Sequence, residues 1–357
     1  MCKLTKIGML TAVATCAAYS SNAAAVAVET YTQVVGGQSA CSTFVAAPPV
    51  LARFGAIGSG LPLGGLGPCG VAGSFNLVTA PNGPLNDTTS LGPTPITSSF
   101  GSGTFQGGAT AVANFGKIGA QGIASFTGPT DANTLVGADA YGRFTDAFTF
   151  APNANHLAGS LGFAQFAITV DGALMFNSLG GPSSGQGRVE LSYQQDTGPV
   201  FAIFAANTGA GGTIASSVTS DVSNFITSIV PGVSESISGS ATVNTFLMPF
   251  LYGTSFDFDL GLIVAAGPRT RSAIDASFLS TALLSGISVF DQGGARVDNF
   301  AITSGSGTFY DATGVHLISP EPSPVPEPAT LALFATGLLS VRLCHRKRML
   351  KQRVVSR

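Results

Sequence analysis

The sequence predicts an all-β fold, an antiparallel, jelly-roll-like β-sandwich, from its composition and its turn pattern. The chain has 357 residues with 46 Gly and 25 Phe, and only 10% of its residues are charged. It therefore lacks the Leu-Glu-Lys patterns that build amphipathic helices. Short windows of alternating polarity are separated by Gly, Pro, Asp and Asn, and no helix-length segment lies between successive windows. Antiparallel sheets packed face to face fit this pattern.

The N-terminus, residues 1–27, has the parts of a secretory signal peptide. Two lysines precede an apolar segment from Ile7 to Ala18, and small residues follow it. Cleavage fits after Ala25 or Ala27, and we prefer Ala27. A lipoprotein signal at Cys16 is the alternative, which the preceding Thr disfavours. We expect export through the Sec translocon.

Residues 28–135 predict a loop-rich segment with short edge strands. Pro and Gly are frequent there, and Pro cannot donate to a strand ladder while Gly weakens a strand. The spacing of four aromatic residues nevertheless hints at a meander: Phe100, Phe105, Phe115 and Phe126.

Two cysteines remain once the signal peptide and the C-terminal tail are set aside, Cys41 and Cys69. In an oxidising compartment we expect a disulfide between them, and two separate buried thiols are the alternative. Their spacing, with no His nearby, does not fit a zinc site.

Residues 136–319 predict the core of the sandwich. In the window from Arg143 to Phe150, four side chains alternate onto one face: Phe144, Asp146, Phe148 and Phe150. Further predicted strands are Leu161 to Val170, Val189 to Tyr193, Val200 to Ala206, Phe256 to Val264, Ile287 to Phe290 and Phe300 to Thr303. The one window with helical character, 273–284, fits a strand better.

Candidate catalytic residues are few. His156 and His316 have no accompanying nucleophile motif, so surface or capping roles are expected for both. Glycosidase chemistry needs two carboxylates at a defined separation, for which the sequence offers Asp257 with Asp259, or Glu190 with Glu235. We expect no enzymatic activity, no catalytic residue and no cofactor.

Candidate binding residues are also weakly marked. A structural Ca²⁺ could draw oxygen ligands from Asp257, Asp259, Asp291, Asp298 and Asp311, but no calcium-loop motif is present and we expect no metal. A shallow glycan site could draw on Tyr141, Tyr193, Tyr252 and Tyr310, although a mixed core and rim role fits them better.

The charges are segregated along the chain. All 18 Asp and Glu lie in residues 28–327, whereas only seven of the 16 Lys and Arg do, so this region has a net charge of 7 − 18 = −11. We call residues 28–327 the body of the protein. An acidic body without a basic patch excludes binding to nucleic acid.

The C-terminal tail has three successive parts. Residues 320–328 alternate Pro with other residues and predict an extended spacer. Residues 329–344 predict a transmembrane helix, although a short one, because the run 329–341 carries no charge and Arg342 can snorkel beside it. Residues 345–357 are basic and predict a cytoplasmic tail, in line with the preference of positive charges for that side. The basic anchor consists of Arg342, Arg346, Lys347 and Arg348.

This ordered tail resembles the PEP-CTERM sorting signal of Gram-negative bacteria. The resemblance rests on Val325, Pro326, Glu327 and Pro328, followed by the apolar run and the arginine-rich end. It implies recognition by an exosortase, a membrane processing enzyme, in organisms that make exopolysaccharide. In that interpretation the motif is a substrate, and the protein is anchored in the membrane before it reaches the cell surface or extracellular matrix.

The sequence therefore predicts an exported envelope or matrix protein with a structural or adhesive role in association with exopolysaccharide. A carbohydrate-binding module is the alternative, and a secreted hydrolase is a less favoured one.

Overall fold

A computed structural model describes residues 26–38, 71–130, 134–209, 214–217 and 220–316. All the regular structure in these residues is β-strand, and the strands pair antiparallel in two large sheets, which confirms the predicted all-β sandwich. Within this part of the chain no helix has the length and hydropathy that a membrane span requires. The first 25 residues of the predicted signal sequence 1–27 and the tail after residue 316 lie outside the described residues.

The first sheet has the strand order β10-β9-β8-β14-β6-β1-β2, and the short β17 pairs with β6. Its strands are β1 (Ala27–Gln38), β2 (Val71–Ala80), β6 (Thr134–Phe150), β8 (Gly185–Gln195), β9 (Val200–Gly209), β10 (Ile214–Ser217), β14 (Ser255–Pro268) and β17 (Ile302–Ser304).

The second sheet has the order β11-β12-β7-β15-β5-β4-β3, with β13 pairing to β7 and β16 to β15. Its strands are β3 (Leu85–Ser98), β4 (Gly101–Asn114), β5 (Lys117–Phe126), β7 (Leu161–Ser178), β11 (Ile226–Val230), β12 (Ser234–Asn244), β13 (Met248–Leu251), β15 (Ser272–Asp291) and β16 (Arg296–Val297). A separate hairpin joins β18 (Phe309–Asp311) to β19 (Gly314–His316).

The core lies between the two sheets. Strands β1 and β6 pack over β3, β4 and β5, while β14 packs over β5 and β15. Aromatic rings fill the centre: Phe166 stacks on Phe258 with ring centroids 4.4 Å apart, and Phe148 lies 5.3 Å from Phe166. Burying each such ring contributes roughly 1.5–3 kcal/mol, so Phe-rich alternating strands account for much of the stability of this body.

Six of the seven predicted strand windows lie inside observed strands, and β17 covers only the end of the window from Phe300 to Thr303. The two sheets together exceed the eight strands of a standard jelly roll. The window 273–284 lies in β15, the central strand of the second sheet, in agreement with the strand interpretation.

Residues 28–135 differ from the loop-rich prediction. Their described part forms β1 to β5, strands of 10 to 14 residues that belong to both sheets, and β6 runs across the predicted boundary at residue 135. Strands β3, β4 and β5 form the meander that the Phe spacing suggested.

Glycine explains why these strands were not recognised. A Cβ on Gly36 of β1 would lie 2.3 Å from the ring of Phe105, which is fully buried. A Cβ on Gly142 of β6 would lie 2.6 Å from the carbonyl oxygen of Val112 in the facing sheet. Glycine here makes room for an aromatic ring or a facing backbone, and so it occurs within strands instead of ending them.

The N-terminal end of the described chain is part of the packed body. Val26, the residue before β1, packs against the core, and a Cβ on Gly305 would lie 2.8 Å from its Cγ2. The packed body therefore includes Val26 and Ala27, the last two residues of the signal sequence predicted with cleavage after Ala27, and these two residues stay in the exported chain only if cleavage follows Ala25.

Candidate functional site

The predicted sorting residues and both disulfide candidates lie outside the described residues. They are Val325, Pro326, Glu327, Pro328, Arg342, Arg346, Lys347, Arg348, Cys41 and Cys69. The roles of these side chains therefore stay predictions from the sequence.

The strand ends that flank the two cysteines, the end of β1 and the start of β2, are paired with each other. Strand β1 pairs antiparallel with β2, and Gly37 is the partner of Val71 in that register. Cys41 follows Gly37 by four residues and Cys69 precedes Val71 by two. The chain thus leaves the first sheet and returns to it at adjacent positions, and the disulfide between the two cysteines stays a prediction.

The most highly charged cluster of the described residues is centred on Arg143 in β6. Its Nη1 donates to Glu29 Oε2 in β1 at 2.9 Å, and its Nη2 donates to Asp259 Oδ1 in β14 at 2.8 Å. The Nε of Arg143 also donates to Asp259 Oδ1, at 3.2 Å, and the hydroxyl of Thr145 donates to the same oxygen. One guanidinium thus joins three adjacent strands.

The electrostatics of this cluster favour the charged guanidinium. Burial alone would lower the pKa of Arg143, but Tyr141, Asp259 and Glu29 together raise the pKa above its ordinary value. Two carboxylates face one cation, so both anions depend on Arg143 for compensation. Breaking such a buried pair by removing one partner destabilises a protein by about 3–5 kcal/mol.

The surroundings of the cluster are polar and aromatic. In the strand register Tyr31 lies beside Tyr141, and Gln33 lies beside Asp139. The hydroxyl of Tyr31 donates to Gln33 Oε1 at 2.7 Å. All four side chains are buried, as is Arg143. The cluster is therefore closed to solvent, and its evident role is to hold β1, β6 and β14 in register.

The predicted glycosidase pairs are arranged differently from what that chemistry needs. Asp257 and Asp259 share a face of β14, but the carboxylate of Asp259 is engaged by Arg143 and Thr145. Glu190 lies on β8 in the first sheet, whereas Glu235 lies on β12 in the second and accepts a hydrogen bond from the Gly209 amide at 3.2 Å. Burial raises the pKa of Glu190, whose carboxylate accepts a hydrogen bond from Ser192 at 2.8 Å.

A second buried carboxylate, Asp146, holds the C-terminal part of the body. It accepts hydrogen bonds from the Ser306 amide at 2.9 Å, the Ser306 hydroxyl at 2.6 Å and the Tyr310 hydroxyl at 3.0 Å. Burial raises the pKa of Asp146, although these donors oppose the shift. The ring of Tyr310 packs edge-on against Phe148 at 4.9 Å. Asp146 thus holds residues 306–310, which lie near the end of the described chain, against β6.

The four candidate tyrosines belong to the core. Tyr141, Tyr193, Tyr252 and Tyr310 are each at most 2% exposed, so they do not line a glycan site on the surface. Burial raises the pKa of Tyr193 to about 12, and its hydroxyl accepts a hydrogen bond from the Phe246 amide at 3.0 Å.

The two histidines in the body have local roles. His156 stacks on Tyr252 with ring centroids 4.9 Å apart, and its amide donates to Asn153 Oδ1 at 3.0 Å. His316 Nε2 lies 2.8 Å from Asp311 Oδ2, and both side chains are exposed.

An open cavity of about 480 Å³ lies where three loops meet: residues 151–153, 298–301 and 311–313. It presents polar groups of Asn153, Asn299 and Asp311 beside the ring of Phe300. Hydrogen bonds from Thr313 and His316 lower the pKa of Asp311 to about 2, so this carboxylate is ionised at neutral pH. Amides, a carboxylate and one aromatic ring are groups that can bind a hydroxylated ligand such as a sugar.

The five candidate calcium ligands are not brought together. Asp257 and Asp259 lie on β14, Asp291 accepts from the Ala295 amide in a turn, and only Asp298 and Asp311 line the cavity. Among the described residues no group of three or more His, Cys, Asp or Glu could hold a metal ion.

Sequence reasoning missed the Arg143 cluster and the loop cavity. Arg143 is 114 residues from Glu29 and 116 from Asp259 along the chain, and no local pattern marks a contact at that separation. The alternation in β6 did place Asp146 on the core face, which is the signal that could have identified it as a buried anchor.

Comparison with known proteins identifies the tail. Residues 324–347 match the family model of the PEP-CTERM protein-sorting motif. The match includes the predicted motif residues and three of the four anchor residues, Arg342, Arg346 and Lys347, and it begins shortly after the last described strand ends at His316. No curated protein matches the chain.

One solved structure, described as concerning carbohydrate-binding modules from the β-sandwich superfamily, aligns with 61% of this chain and 83% of its own. The identity is 9% and the TM-score is 0.18, so this likeness carries no argument about the present chain.

Proposed function

Because the chain carries a PEP-CTERM sorting signal, which implies export and processing by an exosortase, we propose that it is a structural or adhesive protein of the cell envelope or extracellular matrix. The observation that carries the proposal is the order of its parts: a β-sandwich that ends at His316, followed by the motif at residues 324–347. The sandwich is then the exported part of the protein, and the tail is its sorting signal.

The properties of the body support this assignment. Residues 28–327 carry a net charge of 7 − 18 = −11, which keeps an exported protein soluble and away from other anionic polymers except through specific contacts. Its most charged cluster is buried and holds strands together, which is a stabilising arrangement. In our proposal the protein is not an enzyme, and the tail anchors it in the membrane until processing releases it to the surface or to an exopolysaccharide matrix.

The test is mass spectrometry of the C-terminal peptides from envelope and released fractions, with and without the host exosortase. The chain offers a matched pair of variants, because Pro320-Glu321-Pro322 repeats the residue pattern of Pro326-Glu327-Pro328 upstream of the matched segment. We expect the Glu327→Gln variant to retain its C-terminal tail. The Glu321→Gln variant should lose the tail by processing, as the wild type does. A tail that stays intact to Arg357 with the enzyme present would contradict the proposal.

A second function, carbohydrate binding, is favoured by the loop cavity alone. The buried tyrosines exclude the aromatic site first considered, but Asn299, Asp298 and Phe300 line an open space of about 480 Å³. We expect Asn299→Ala to weaken binding to the host polysaccharide, measured by calorimetry, while Asp171→Ala, at an exposed position of β7, leaves it unchanged. Equal binding by both variants would exclude the cavity.

A secreted hydrolase is the least supported alternative. It requires turnover of a glycan or ester that one Asp or Glu substitution abolishes. A panel of such substrates, assayed with the wild type and with Asp311→Asn in the cavity, tests it.

A further inference from the structure

We propose that β11, the outermost strand of the second sheet, is a self-association surface to which β11 of a second copy of this chain adds antiparallel. The contact would extend the second sheet from one molecule into the next. This inference goes beyond the proposed function, because it concerns the sandwich alone and holds whether or not the tail is processed.

Exposure of the strand is the first observation. Strand β11 ends the strand order of its sheet and pairs with β12 on one side, so its other backbone edge has no strand partner among the described residues. All five of its residues are exposed, and the apolar ones strongly so: Ile226 71%, Ile229 57% and Val230 48%. Val233 in the adjoining turn is 57% exposed. An exposed apolar edge strand is a template for another strand.

Two of the other three edges carry features that limit pairing, whereas the third, β2, has ten residues without Pro, charge or register shift. Strand β3, at the opposite edge of the same sheet, contains Pro93 and Pro95 and an irregular register between Leu91 and Thr94. Strand β10 has only four residues. Proline, irregular register and short length are the devices that keep edges from pairing. Strand β11 has no Pro, no charge and no register shift.

The absence of charge on this edge allows a second copy of the acidic chain to be the occupant. Two acidic bodies repel each other over most of their surfaces, but neither β11 nor the turn Pro231-Gly232-Val233 has an ionisable side chain. The nearest carboxylate in the register is Glu235, opposite Ile229 on β12, and its Oε2 accepts a hydrogen bond from the Gly209 amide at 3.2 Å. The edge is therefore a place where two copies can meet without opposing like charges.

The sequence of β11 also complements itself. An antiparallel pair related by a two-fold axis at Ser228 places Ile226 opposite Val230 of the second copy, and Thr227 opposite Ile229 of the second copy. Apolar and β-branched side chains then face each other across both sides of the ladder, which are favourable cross-strand pairs. The two small Ser228 side chains meet at the axis.

The size of the contact predicts a weak association. Five residues from each copy bury less than the roughly 1,200 Å² of a standard stable interface. Dimers should therefore form at high concentration in solution and more readily where many copies are held at one surface, since tethering raises the effective concentration.

Sedimentation velocity of the full-length chain in mild detergent tests the proposal, from about 1 µM to about 100 µM. We expect dimers of the wild type at the upper end, and Ile229→Lys to raise the dissociation constant at least about tenfold, because it places a charge in the pairing edge. Ile123→Lys is the matched control, since Ile123 is 44% exposed on β5, which is not an edge strand. Leu77→Lys tests the competing edge β2.

The outcomes are distinct. Loss of dimers in Ile229→Lys, with Ile123→Lys and Leu77→Lys unchanged, supports the proposal. A monomeric wild type, or a Leu77→Lys effect in place of the Ile229→Lys effect, overturns it. Under oxidising conditions Ser228→Cys should form a cross-linked dimer above the wild-type background, and Ser236→Cys on the inner strand β12 should not. Equal cross-linking of both variants would overturn the two-fold register.

Discussion

Replacing Arg143 by Ala should destabilise the sandwich far more than the same replacement at the surface. The change removes the partner of Glu29 at 2.9 Å and of Asp259 at 2.8 Å, and it leaves two buried carboxylates without their cation. Loss of one member of a buried pair costs about 3–5 kcal/mol. At roughly 2–4 °C per kcal/mol, the melting temperature should fall by roughly 6–20 °C.

The chain supplies a matched control in Arg296. Its Nε lies 3.3 Å from Asp298 Oδ1, but the two side chains are 63% and 80% exposed. Exposed pairs of this kind contribute about 0–1 kcal/mol, so Arg296→Ala should lower the melting temperature by no more than about 4 °C. Thermal unfolding followed by circular dichroism compares the two variants with the wild type.

A double variant identifies the cause of the loss. If uncompensated negative charge destabilises Arg143→Ala, then adding Asp259→Asn should restore part of the stability, since the amide oxygen can still accept from Thr145. Equal effects of Arg143→Ala and Arg296→Ala would refute the reasoning. So would a double variant less stable than Arg143→Ala alone.

Three further predictions follow from other parts of the body. Cys41→Ser and Cys69→Ser should each lower stability by ~3.5 kcal/mol, the value for a disulfide that closes a loop of roughly 28 residues, and non-reducing peptide mapping should show the bridge in the wild type. Burial raises the pKa of Asp146, so its contribution to stability is complete below about pH 4 and is lost as the pH rises through the raised value. The stability of the wild type minus that of Asp146→Asn should therefore fall as the pH rises above about 4, and a flat difference would contradict a raised pKa. N-terminal sequencing of the exported protein should begin at Val26, because Val26 packs against the core, whereas a start at Val28 would favour the cleavage after Ala27.

The sequence was informative wherever a pattern is local. In the window from Arg143 to Phe150 the alternation of side chains predicted a strand and its core face correctly, including the unusual Asp146. The order of Pro, apolar and basic residues in the tail predicted the sorting motif that the family model matches. Each of these signals lies within a few dozen consecutive residues.

Contacts between distant residues could not be predicted in the same way. Residues 28–135 predicted loops and short edge strands because Gly is unfavourable in an isolated strand, whereas Gly107 lies within β4, where an added Cβ would be 3.0 Å from both Phe105 and Val34. Nothing near Arg143 in the sequence indicates that Glu29 and Asp259 will be its partners. The loop cavity likewise depends on three segments that only the fold brings together.

The positions of β14 and β15, which come late in the sequence, determine when each sheet can be completed during export. Strand β14 lies between β8 and β6, and β15 lies between β7 and β5, so the central strand of each sheet comes from residues 255–291. Until those residues have crossed the membrane, each sheet exists as separate pieces with open edges, and pairing across such sequence distances is slow. On the export that the sorting signal implies, the strands that complete each sheet are among the last parts of the body to follow in chain order. The body becomes complete only when the sorting signal, the next part of the chain, arrives at the membrane.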